Sequence, residues 1–253
     1  MESNYIAAER EEMNIPQKMN VFKRIGCLIF SPKNLFLYLK NKPAVLFPLI
    51  LLSIGTVAVQ LLMMESLKDT NMDTIYNAFQ ASGQSMSPEQ IEKLIKPFLI
   101  LTIAISPFLF AAGWAVRTLI LYGIYRFVDC EKGLKKYFSM TAYIMLLTVA
   151  RDLIHALFLY FFGGSSTTAY VTSLASLLDP ETSGSFLYGL ASSLEVFNIW
   201  KYVLIGIGFA YAGNVKKKKS YVTAVVLFLI TTLFSAGWAV LQSRISAGMP
   251  GQL

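Results

Sequence analysis

Residues 97–127 read PFLILTIAISPFLFAAGWAVRTLILYGIYRF, thirty-one positions with charge only at Arg117 and Arg126. A helix crosses the hydrocarbon core of a bilayer with about 20 mainly apolar residues, so this stretch is long enough for one span and more. Pro107 lies inside it, where a lost backbone N–H and a ring clash predict a kink. One tilted, kinked helix continuing into the cytosol is the expected form, and two half-helices are the alternative. Residues 43–64, 137–162, 195–212 and 221–241 have the same apolar character. Of the 253 residues, 55% are hydrophobic and 15% charged, and mean hydropathy is +0.54. Soluble domains carry about 25% charged residues, so this chain has too few to cover a water-exposed surface. A soluble globular domain, a disordered chain and a disulfide-stapled secreted module are excluded. The predicted fold class is all-α: a polytopic membrane bundle of five transmembrane helices with a cytosolic amphipathic N-terminal segment.

Charge sets the expected orientation. The first 19 residues, MESNYIAAEREEMNIPQKM, lack the apolar run of a cleavable signal peptide, so the first span is expected to be an uncleaved anchor. Residues 1–42 carry seven basic groups, six of them after Glu12. Residues 65–96 hold three basic and five acidic groups, and residues 126–136 four basic and two acidic. Residues 163–194 hold only Asp179 and Glu181, and Lys216, Lys217, Lys218 and Lys219 follow the fourth span. This alternation predicts a multi-pass protein of the cell membrane, N-terminus cytosolic and C-terminus exoplasmic. The 22 Lys and Arg against 15 Asp and Glu leave a net charge of +7. In so apolar a chain that excess points to anionic lipid headgroups, not nucleic acid.

The expected organisation is a flexible cytosolic tail (1–18), amphipathic membrane-surface helices (19–42), a five-helix transmembrane domain (43–242) and an exoplasmic C-terminal tail (243–253). Val21, Phe22, Ile25, Leu28 and Ile29 recur at helical spacing with basic residues between them, as in a helix lying on a leaflet. Ser31-Pro32 supplies an N-cap with proline at the first helical position, and Phe36, Leu37 and Leu39 make the apolar side of a second short helix. Ser87-Pro88-Glu89-Gln90 reads as a capping box. Tyr170, Val171, Leu174, Leu177 and Leu178 predict a helix broken at Asp179-Pro180, and Phe186, Leu187, Leu190 and Leu194 resume the pattern. These two exoplasmic loops are expected to be structured.

FKRIGCLIFSPKNLFLYLKNKPAVLFPLIL (22–51) resembles the approach to the first span in the Yip-domain membrane family, bacterial branch, through Ser31, Pro32 and Pro43. The family was named for Ypt/Rab-interacting proteins. SSLEVFNIWKYVLIGIGFAYAGNVKKKKSYVTAVVLFLI (192–230) resembles its last two spans, through Phe197, Trp200, Ile205, Gly206 and Gly208. The third span lacks the proline that many members carry there. The resemblance implies a compact five-helix bundle and, in eukaryotes, Rab-related trafficking and membrane shaping. For bacterial members it implies a non-enzymatic accessory or scaffold subunit packing against another integral membrane protein, such as an ABC-type, ATP-driven exporter linked to peptide or toxin defence.

Charged groups inside spans are the best clue to chemistry, because each costs about 2.5–3.5 kcal/mol at the helix centre on insertion scales. Arg151, Asp152 and His155 lie near the middle of the third span and Arg117 in the second. Arg151 and His155 are i,i+4, and Asp152 and His155 i,i+3, so each pair can share a face. The four form an expected intramembrane polar cluster with three readings: an internal ion pair holding helices together, a partner or ligand site, or a proton path through His155. The last would make the chain an autonomous transporter or channel, and membrane shaping is a third function class. Lys23, Arg24, Lys33, Lys40 and Lys216–Lys219 are expected to contact lipid headgroups. One histidine with distant Cys27 and Cys130 is no metal-ligand set, no nucleophile has an evident base, and no phosphate-cradling glycine loop occurs. No enzyme activity and no cofactor are therefore expected.

Overall fold

The computed structural model describes residues 18–83, 86–163 and 169–247. These are helical, with two 3-10 turns and one isolated β-bridge. The helices are α1 (Val21–Phe30), α2 (Pro32–Asn41), α3 (Leu46–Leu62), α4 (Met64–Ala81), α5 (Pro88–Arg126), α6 (Leu134–Phe162), α7 (Phe186–Ser193), α8 (Val196–Tyr211) and α9 (Lys217–Ala247). Most of the tails expected at 1–18 and 243–253 lies outside the described residues.

Three helices, α5, α6 and α9, are each long and apolar enough to cross a membrane. Leu46–Leu62 and Met64–Asn77, bent by 60° at their junction, make a fourth candidate if taken as one span. α8 is apolar but has only 16 residues, a rise of about 24 Å against a hydrocarbon core of about 30 Å. The structure therefore carries three to four candidate spans, fewer than the five apolar stretches of the sequence. The shortfall arises where such a stretch ends in a bend or a capped start before reaching full length.

α5 runs unbroken through Pro97 and Pro107 over 39 residues. Pro107 deprives the Ile103 carbonyl of its helical donor, and the Ser106 hydroxyl donates to that carbonyl at 2.9 Å. The helix start follows the sequence reading: Ser87 Oγ accepts from Gln90 N at 3.3 Å, and Gln90 Oε1 accepts from Ser87 N at 3.0 Å. At Ser31 the local chemistry differs from the expected cap. Ser31 holds the N-cap position of α2 without a side-chain cap bond; its hydroxyl accepts instead from Asn34 Nδ2 at 2.8 Å.

The described residues group into two compact units. The first holds the chain up to Leu52, Ala111–Leu147 and Lys201–Val226. Its core is aromatic: Phe209 stacks on Tyr125 at 3.7 Å between ring centroids and on Tyr137 at 5.1 Å. Each phenol has a backbone acceptor, Ser220 O for Tyr125 at 3.0 Å and Glu131 O for Tyr137 at 2.5 Å. Trp114 Nε1 donates to Thr141 Oγ1 at 3.0 Å, and Thr118 and Thr141 share a hydrogen bond at 2.7 Å. α2 is enclosed on every side, Leu35 to Leu39 being no more than 6% exposed. α1 keeps an outward apolar face, with Phe22 and Phe30 more than four-fifths and Ile29 half exposed (84%, 86% and 50%).

The second unit holds Ser53–Phe110, Thr148–Trp200 and the chain from Leu227. Ile91, Ile95 and Leu99 of α5 pack with Leu67, Met72 and Ile75 of α4, and Lys68 pairs with Glu92 at 2.6 Å. Between Tyr170 and Leu178 the expected helix is reduced to one 3-10 turn, Leu174–Leu177. The hydroxyls of Ser173 and Ser176 take the carbonyls of Tyr170 and Ser173, both at 2.7 Å, and compete with helical bonding. α7 follows as the apolar pattern predicts, capped by Ser185.

Gly189 of α7 lies against α9 so closely that a Cβ there would stand 2.6 Å from the Ala236 Cα. That neighbour is backbone and cannot turn aside. A Cβ on Gly113 would meet nothing within 4 Å. Gly189→Val is therefore expected to lower the melting temperature in detergent sharply, or to abolish folding. Gly113→Val should cost no more than about 1 kcal/mol. Equal melting temperatures for the two variants would contradict this packing.

Candidate functional site

Arg151 and Asp152 stand on α6, ten to eleven residues before its end at Phe162, or about 15 Å along the axis. The segment after α6 returns to that level. Arg151 Nε and one terminal nitrogen donate to Asp152 Oδ1 at 3.0 and 2.7 Å. The same terminal nitrogen approaches the Tyr170 hydroxyl at 3.3 Å, and that hydroxyl donates to Asp152 Oδ1 at 3.1 Å. The guanidinium carbon lies 4.2 Å from the Tyr170 ring centroid. Burial, and after it the Asp152 charge, pushes the Tyr170 hydroxyl up to about 12, so it stays a neutral donor near pH 7.

Glu195 completes the arrangement and is 1% exposed. It occupies the N-cap position of α8, its carboxylate accepting from Phe197 N at 2.8 Å and Asn198 N at 2.7 Å. The Thr172 hydroxyl donates to it at 2.8 Å, and an Arg151 nitrogen lies 4.0 Å away. The bridge between Ser173 and Glu195 holds the two strands of chain together. One arginine is thus shared by two carboxylates and a phenol, and the α8 cap is tied to the middle of α6.

His155 is buried against Tyr170, ring centroids 4.6 Å apart at 52°. Its Nδ1 has no hydrogen-bond partner among the described residues; Asp152 turns to Arg151 and Tyr170 instead. Arg117 belongs to the first unit, on an exposed face of α5. The structure therefore gathers Arg151, Asp152 and His155 with Tyr170 and Glu195 in the second unit. By sequence alone Tyr170 reads as an apolar helix position and Glu195 as the first residue of a span. A signal for Glu195 was present: an acid directly before an apolar helical run, where a cap belongs. Nothing local marks Tyr170.

The eight basic residues expected to contact headgroups all belong to the first unit. Lys23 and Lys216–Lys219 are exposed, and Arg24, Lys33 and Lys40 partly so. Lys219 pairs with Asp129 at 3.0 Å, and Lys33 and Lys217 both approach the Tyr211 ring, at 5.3 and 5.5 Å from its centroid.

Glu195→Ala would strip acceptors from two helix N–H groups, the Thr172 hydroxyl and Arg151. The expected loss is about 3 kcal/mol, read as a lower melting temperature in detergent. Tyr170→Phe keeps the ring contacts and should cost about 1 kcal/mol. A Glu195→Ala protein melting with the wild type would mean that this tie bears no load.

The Yip1 domain family model matches residues 25–239. "Membrane protein YknW" of Bacillus subtilis (strain 168) is 26% identical over 210 residues, which cover 82% of this chain and 86% of the relative. No solved structure matches the chain. A match running from α1 almost to the end of α9 takes in both units and the whole polar cluster, and the chain belongs to the Yip1 domain family.

Proposed function

We propose that this integral membrane protein is a non-enzymatic scaffold that docks a spanning helix of another membrane protein on the outward face of α5. The observation that carries the reading is Arg117. It follows twenty charge-free residues, 97–116. It is exposed, beside exposed Val116 (55%) and Ile120 (57%). Gly113, one turn earlier, opens onto empty space. A guanidinium on an apolar helix face is costly unless it reaches water or meets a carboxylate. A partner helix bearing Asp or Glu at that depth satisfies it, and the glycine permits close approach. By contrast, Arg151 is engaged by its own unit, which favours a structural role for that cluster over a transport path. An ATP-driven exporter is the first partner class to test, carried over from the family resemblance. Membrane shaping has no comparable support from an exposed feature of the spans.

The test is purification from the native membrane in a mild detergent with mass spectrometry of what accompanies the protein. A stoichiometric membrane partner is expected with the wild type and lost with Arg117→Leu, while helicity and monodispersity stay unchanged. A wild-type protein that emerges alone, or an Arg117→Leu protein that keeps its partner, would overturn the reading.

We also infer five crossings with the N-terminus cytosolic, α8 serving as a short fourth. Support comes from the alternating loop charges and from the apolar character of α8. In a Cys27→Ser, Cys130→Ser background, cysteine at Lys216 should react with an impermeant maleimide only from the cytosolic side. Cysteine at Ser183 should react only from outside. Labelling of both from one side would refute the topology.

A further inference from the structure

The start of α1 and the end of α2 enclose a recess of about 650 Å³, within the range of small-molecule sites, about 300–1,000 Å³. Four cations line it, Lys18, Lys23, Arg24 and Lys42, and no described carboxylate does. Arg24 is built into its wall. Its Nε donates to Met19 O at 3.0 Å, and its two terminal nitrogens donate to the hydroxyls of Tyr38 at 3.1 Å and Tyr143 at 3.4 Å. Both tyrosines are buried, at 5% and 0% exposure. Three of the five guanidinium donors are thereby spent on neutral acceptors, which fix the planar fork and leave its charge in place. Such a fork, ringed by ammonium groups, has the donor geometry that phosphate oxygens take. α1, whose first turn lines the recess, also carries exposed Phe22, Ile29 and Phe30. A soluble anion would leave those side chains uncovered, whereas an acyl chain would cover them.

We propose that this recess is a binding site for the phosphate monoester headgroup of an anionic membrane lipid. A monoester is preferred over a diester because its second ionisation gives four converging cations twice the charge to meet. The recess acts as a stereochemical site, distinct from the diffuse attraction of the Lys216–Lys219 run to any anionic leaflet.

The experiment uses full-length protein in a neutral detergent and calorimetric titration with dioctanoyl phosphatidic acid, dioctanoyl phosphatidylglycerol and inorganic phosphate. Phosphatidic acid is expected to bind about tenfold more tightly than phosphatidylglycerol, with inorganic phosphate weaker than both. Lys23→Gln with Lys42→Gln removes two exposed lysines and leaves the Arg24 framework intact; it should weaken phosphatidic acid about tenfold. Lys216→Gln with Lys218→Gln removes the same charge elsewhere and should change affinity less than about twofold. Arg24→Lys, if folded, should lose the preference for the monoester. Equal affinity for the two lipids, or equal losses in the two double variants, would reduce the effect to general electrostatics and overturn the proposal. Inorganic phosphate binding as tightly as phosphatidic acid would assign the recess to a soluble phosphate and overturn the lipid assignment.

Discussion

A peptide group left unpaired in hydrocarbon costs several kcal/mol, and at several places where this chain stops being a regular helix a side chain answers that cost. At Pro107 the answer is the Ser106 hydroxyl on the orphaned Ile103 carbonyl. After Pro43 it is Ser139, whose hydroxyl accepts from Ala44 N at 2.9 Å and donates to Ala44 O at 3.1 Å. In the turn between α5 and α6, Arg126 and Tyr137 take the carbonyls of Cys130 and Glu131. At the start of α8 it is Glu195. The scarce polar residues of the apolar segments are thus largely committed to the backbone, which leaves few of them for chemistry.

Two arginines within the long apolar helices meet different surroundings. Arg151 is held by Asp152, Tyr170 and, at longer range, Glu195. That set closes a loop against the helix it follows. Breaking a buried pair of this kind costs more than the pair contributes, because the remaining charge is left unsolvated. Arg117 lies among exposed apolar side chains on a helix whose glycine at position 113 opens outward. The first arrangement closes within its own unit, and the second is the observation on which the scaffold proposal rests.

The N-terminal segment joins these themes. α1 turns an apolar face outward, while Arg24 on its other side is oriented by the phenols of α2 and α6. α2 is buried from Leu35 to Leu39 and acts as a wall of the first unit. An arginine fixed by phenols beside lysines differs from a polybasic tail in one respect: its geometry can distinguish anions of different shape and charge.

Much was legible in the sequence. The apolar runs, the all-α class, the Ser87–Gln90 capping box and the Ser31-Pro32 step between two short helices all follow from composition and from rules acting over three or four residues, which operate before any tertiary contact forms. The bend of α3 into α4, the shortness of α8 and the conversion of 170–178 from helix to bridge and turn do not follow from such rules. The last two depend on which hydroxyl or carboxylate reaches a given backbone group, and such partners can lie 95 residues apart, as Ala44 and Ser139 do. The same holds for the charged residues. Spacing alone placed Arg151, Asp152 and His155 on one helix, but Tyr170 and Glu195 joined them through a returning chain segment, and only the fold turned Arg117 to an outer face. Local sequence determined which segments would leave water; long-range packing decided which of their few charges would be neutralised within the chain and which would remain on its surface.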